Sequence, residues 1–148
     1  MIRRSGYRSD QPAVASLQER GCLAFHNALI PRAEAMDEIA TSDFLLLIDI
    51  NNLSNIGYTV PAKLFDYILT GRPILALTAR NSPVERILQQ SGLPCACLYH
   101  DDPEDTLGRK LLDFLALPTV PVQPSPWFLE NFDGRRQAAT FSRILKSL

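Results

Sequence analysis

The alternation of short apolar runs with helical stripes most narrows what this chain can fold into. Four runs, Cys22–Phe25, Phe44–Ile48, Pro73–Leu77 and Cys95–Tyr99, are continuously apolar rather than alternating, the pattern of strands covered on both faces. Between and after them lie stretches with apolar residues at helical spacing. Ala33, Met36, Ile39 and Ala40 mark Pro31–Ala40, and Leu64, Tyr67 and Ile68 mark Pro61–Leu69. Val84, Ile87 and Leu88 mark Pro83–Gln90, and Leu107, Leu111, Leu112, Phe114 and Leu115 mark Pro103–Leu117. Strand and helix in strict alternation predict a parallel sheet flanked by helices.

The ends of these helices carry their own signals. Ser82-Pro83-Val84-Glu85 has the form of a capping box with proline at the first helical position. Asp102-Pro103-Glu104-Asp105 is an acidic start with Asp102 as its expected cap. Gly71 and Gly92 stand where left-handed C-terminal caps are expected. Pro118–Pro126 holds four prolines and reads as an extended connector. Beyond it, Ala138, Phe141, Ile144, Leu145 and Leu148 form one stripe of a final amphipathic helix over Gly134–Leu148. The expected organisation is an α/β domain over residues 1–117, then a connector and helix over 118–148.

Composition removes several classes of function. The 148 residues are enough for one domain with a sizeable core. A formal net charge of −1 gives no basic footprint for nucleic acid, and Arg3, Arg4 and Arg8 are too scattered for a polybasic arm. No apolar run approaches the roughly 20 residues of a membrane span, and no apolar stretch follows the charged start as a secretory signal requires. Three cysteines do not make a disulfide framework. Cys95 and Cys97 fall on one face of a strand as buried thiols, and His100 alone does not complete a metal site. A reducing cytoplasm is the expected compartment.

In an open parallel sheet, ligands bind beyond the carboxyl ends of the strands. That rule selects His26–Ile30, Asp49–Val60, Thr78–Ser82 and His100–Asp102. The second loop is the longest and most polar, and it opens a helix at Pro61. A helix N-terminus fed by a long loop attracts phosphate through its N–H groups and dipole. Lys63 in that first turn opposes the dipole, a placement that a bound polyanion would rationalise. Asp66 follows at i+3 on the same helical face, so a plain surface ion pair is the other reading. His26 reads as a site residue or a structural one, and Asp49 as a site residue or a local cap of its loop. Trp127 and Phe128 read as contacts for another domain.

The run Val60-Pro61-Ala62-Lys63-Leu64-Phe65-Asp66-Tyr67, continuing to Gly71-Arg72-Pro73-Ile74-Leu75, resembles a motif of GT-B-fold glycosyltransferases of the family 4 type. Ser42-Asp43-Phe44-Leu45-Leu46-Leu47 upstream resembles that family's aspartate-then-strand element. Asn81–Ile87 and Tyr99–Glu104 downstream follow its order of parts. The resemblance implies the C-terminal nucleotide-sugar-binding domain: a Rossmann-like parallel sheet, incomplete here, with about four of the usual six strands. The missing strands are the first two, and the segment up to Arg20 reads as the helix leading into the third.

The same resemblance implies a function and a site. The chain would be the donor-binding part of a glycosyltransferase moving sugar from a nucleotide diphosphate sugar to an acceptor, inactive as an isolated fragment. Asp66 would bind the ribose hydroxyls, and Gly57, Tyr58, Thr59 and Val60 with the helix start would hold diphosphate and sugar. Asn27, Ala28 and Leu29 would lie along the base, and Lys63 would serve the phosphates. No cofactor or metal is implied beyond the nucleotide diphosphate sugar itself. The partners implied are an acceptor domain or a second copy paired at an open sheet edge. The sequence departs from the family in carrying Asp rather than Glu at position 66 and Tyr58 where many members carry a second Glu. An epimerase of the same fold, or a non-catalytic module binding a nucleotide or protein, are the other readings.

Overall fold

The computed structural model describes residues 2–5, 12–26, 30–49 and 59–146. They form two compact units, Met1–Glu38 and Ile39–Leu148. Both units are parallel α/β, and the four strands expected from the apolar runs are all present, together with one more.

The first unit is a strand–helix–strand repeat: β1 (Ile2–Ser5), α1 (Pro12–Glu19) and β2 (Leu23–His26). α2 (Arg32–Thr41) begins in this unit and ends in the next. β1 lies parallel to β2, with Ile2 opposite Leu23 and Ser5 opposite His26. This strand corrects the reading of the whole N-terminal segment as a helix. Ile2-Arg3-Arg4-Ser5 has one apolar residue, so no apolar run announces it; pairing with β2 makes it a strand. α1 ends in a Schellman turn, with Gly21 at φ 68°. There the Gly21 N–H donates to Gln18 O and the Cys22 N–H to Leu17 O, both at 2.9 Å.

The second unit carries β3 (Leu45–Ile48), α3 (Lys63–Thr70), β4 (Ile74–Thr78), α4 (Pro83–Gln90) and β5 (Cys95–Tyr99). After them come α5 (Glu104–Leu115), α6 (Pro126–Phe132) and α7 (Gly134–Lys146). The strands are parallel in the order β3-β4-β5. Leu45, Ile74 and Cys95 lie in one row and Ile48, Leu77 and Leu98 in another. Alternate residues therefore face the core: Leu45, Leu47, Ile74 and Ala76 meet Leu64 and Ile68 of α3, Val84 and Leu88 of α4, and Phe128 of α6. β4, the central strand, is buried nearly throughout, as a continuous apolar run predicts. β3 is not: Leu46 is 41% and Ile48 39% exposed. Its run looks continuous because apolar residues stand on both faces, but one face alone is packed among the described residues.

The proline-rich connector is a strap along the amino ends of the strands. The Val122 N–H donates to Gly71 O at 2.9 Å and the Ser125 N–H to Ser91 O at 2.7 Å. Arg72 donates from Nε and Nη2 to Ala40 O at 3.0 and 2.7 Å and from Nη1 to Thr119 O at 2.9 Å. Ser125 then caps α6 by accepting from the Phe128 N–H at 3.2 Å, with Pro126 in the first turn. Phe128 is buried and packs with Phe65 and Phe132. The expectation that Trp127 and Phe128 serve another domain is thereby corrected: Phe128 fills this unit's own core, and Trp127 packs edge-on against Phe132.

Candidate functional site

The carboxyl ends of β3 and β4 bring a buried polar chain together. Asp49, at the end of β3, is fully buried, and its N–H donates to Leu77 O at 2.9 Å. Its Oδ2 accepts from the Thr78 hydroxyl at 2.8 Å. Thr78 Oγ1 lies 2.9 Å from Ser82 Oγ, which accepts the Glu85 N–H at 3.1 Å. Thr78 has one hydroxyl proton and gives it to the carboxylate, so Ser82 must donate to Thr78. The order of donors is fixed from the first turn of α4 through two hydroxyls to Asp49. Ser82 is thus the helix cap the sequence predicts and also one member of this chain. The reciprocal half of the box is shifted by one residue: the Ser82 N–H donates to Ala79 O at 3.3 Å, and Glu85 accepts instead the N–H of Asn81, a residue at φ 58°.

A second cluster stands at the end of β5. The Tyr99 hydroxyl donates to Glu85 Oε1 at 2.6 Å. Arg80 lies 4.2 Å and the Lys110 Nζ 4.3 Å from the centre of its ring, within cation–π range. Asp102 accepts from Lys110 at 2.7 Å and from Arg80. Burial and the bond to Glu85 push the Tyr99 phenol well above its usual range, burial first. The hydrogen bond from Lys110 holds the Asp102 carboxyl below its usual range, helped by both cations. Asp102 is therefore not the cap of α5; that helix starts without a side-chain cap, because the carboxylate is taken by partners distant in sequence. Lys110 also donates to Cys97 O at 3.2 Å. A groove of about 380 Å³ runs beside it, lined by Cys95, Cys97, Tyr99, Lys110, Phe114 and Leu117. Burial raises both thiols, Cys97 to about 12, which favours their protonated form over the nucleophilic thiolate.

At the start of α3, Lys63 is the first helical residue and is exposed, while Asp66 in the same first turn is half-buried. Val60 is half-buried and packs against the core, and Thr59 is exposed. Ala62 offers no side-chain cap. The expectation of vacant amide donors needs correction, since the Leu64 N–H donates to Pro61 O at 2.9 Å and the Phe65 N–H to Ala62 O at 3.1 Å. Gly57 and Tyr58, and Asn27, Ala28 and Leu29 on the first unit, lie outside the described residues.

The Gly71-Arg72-Pro73 part of the motif has a structural use. Gly71 caps α3 at φ 72°, and a Cβ there would overlap the Val122 carbonyl. Arg72 clasps Ala40 and Thr119, and Pro73 is buried at the head of β4. Sequence reasoning missed the Arg80–Tyr99–Lys110–Glu85 cluster altogether. Its one local signal is Asn81–Glu85, and the other pairings join residues far apart in the chain.

No family model, curated protein or solved structure matches this chain. Among the described residues, no helix is long and apolar enough to cross a membrane. The architecture itself is that of a partial Rossmann-like α/β fold.

Proposed function

We propose that this chain binds a nucleoside diphosphate sugar as the donor-binding part of a glycosyltransferase, acting in the cytoplasm. One observation carries the reading. A parallel sheet ends in the buried Asp49 and Thr78, and the connection from β3 leads into a helix that starts with an exposed Lys63 and no side-chain cap. A cation at a helix N-terminus is locally unfavourable by a few tenths of a kcal/mol to about 1 kcal/mol. A diphosphate reverses that sign, gaining from both the dipole and the ammonium. On this reading Asp66, in the same first turn, accepts the ribose hydroxyls, Thr59, Val60 and Lys63 serve the diphosphate, and transfer needs an acceptor-binding domain facing this edge.

Calorimetric titration of uridine and guanosine diphosphates into the full chain tests the proposal. Replacing a charged hydrogen-bonding partner costs about 1.5–3 kcal/mol, so Asp66→Ala is expected to weaken nucleoside diphosphate binding about 10- to 100-fold. Lys63→Ala is expected to weaken diphosphate more than monophosphate. Equal affinity of Asp66→Ala and the parent chain would remove the ribose role.

A further inference from the structure

We infer that α7 is an interfacial helix that docks on an anionic lipid surface. Its sequence, GRRQAATFSRILK, contains four basic residues and no acidic one. At about 100° per residue, Ala138, Phe141, Ile144 and Leu145 fall within an arc of about 120°, and Arg135, Arg136, Arg143 and Lys146 fall in the opposite arc. No residue of the helix is buried. Phe141 is 69%, Ile144 53% and Leu145 67% exposed. The helix is anchored at its start, where Asp133 accepts the Arg135 N–H at 2.8 Å. Arg136 lies 3.7 Å from Glu130, both mostly exposed, a pair too solvated to consume the cation.

Charge selects the occupant. A second copy packed on the apolar arc would leave both basic arcs in water, unused. An acidic protein groove would cover the apolar arc and leave the basic arc in water. A bilayer surface engages both. The helix is about 10–12 Å across and sinks about 5–10 Å at the boundary of headgroups and acyl chains, so Phe141 and Leu145 enter the hydrocarbon edge while the basic arc lies among phosphates. This is the composition of a surface-lying helix: Arg and Lys on the polar face, Phe and Leu on the other, and low net hydrophobicity. The inference does not depend on nucleotide binding.

Co-sedimentation of the full chain with vesicles tests it. Binding is expected with phosphatidylcholine vesicles containing about a quarter phosphatidylglycerol, not with phosphatidylcholine alone, and it is expected to weaken as salt rises. Each basic residue near such a surface contributes about fivefold, so Arg143→Gln with Lys146→Gln is expected to lower partitioning about 25-fold. Phe141→Glu with Leu145→Glu, at exposed positions that leave the core intact, is expected to abolish it. Absence of binding to the anionic vesicles overturns the inference, as does equal binding by the Phe141/Leu145 variant. If sedimentation velocity shows that variant splitting a dimer, the face belongs to copies of the chain. Retention on polyglutamate without vesicle binding would assign it to an acidic protein, and either result also overturns the inference.

Discussion

Asp102 shows at the residue scale how a side chain can satisfy a local rule and yet serve a distant one. Its position before Pro103 and Glu104 is that of a helix cap, but Lys110 and Arg80 hold its carboxylate. Its folded pKa is lowered from an ordinary 3.8. A group with a depressed folded pKa contributes stability that is complete above its unfolded value and is lost as pH falls through the folded one. Thermal melts are therefore expected to show a loss of stability below about pH 4 that Asp102→Asn removes, the variant being less stable than the parent at neutral pH. An identical pH slope in both would refute the assignment. Asp49 and Thr78 sit at a finer level still. That Asp49 ends a strand is legible in the sequence; that it receives a directed line of hydroxyls from α4 is not, because register alone brings Thr78 alongside.

The helices divide by whether their signals are local. Ser82-Pro83 is read correctly from four residues, and the bond from the Glu85 N–H to Ser82 closes as expected. Ser125-Pro126 is the same signal, and among the surrounding prolines it reads as connector. Its helix, α6, gains its place from Phe128 in the core, a long-range contact no window reveals. α3 ends at Gly71 for two reasons that add: a left-handed backbone and a Val122 carbonyl where a Cβ would stand. A non-glycine residue in that conformation costs about 1–2 kcal/mol, and overpacking adds a similar amount. Gly71→Ala is expected to destabilise the protein by about 2–4 kcal/mol in denaturant titration. A loss under about 0.5 kcal/mol would mean that the strap yields without cost.

For the molecule as a whole, the alternation of runs and stripes is enough to give a parallel α/β architecture. Four strands follow from it, while β1 does not, since two of its four residues are arginines. The candidate nucleotide site is legible only as a place, the carboxyl edge of β3 and β4, while its polar partners are products of tertiary pairing. The two units differ in how well they are built. β1 and β2 form a two-stranded pair, marginal alone, whereas β4 is paired on both sides and buried. Hydrogen exchange is expected to be slowest at the amides of Leu75, Ala76 and Leu77 and at least about tenfold faster in Leu23–Phe25. Equal protection would show that the units open together.

The strap from Val122 to Ser125 also decides how the molecule carries load. It is fastened to Gly71 and Ser91, both at the amino rim of the sheet, and Phe128 is seated just beyond it. A pull entering through α7 meets Phe128 first, then Ser125, then Val122. It is taken up one fastening at a time, like a cable clamp that yields before the terminal it protects. Asp49 and Thr78 stand on the opposite rim, beyond the last of these fastenings.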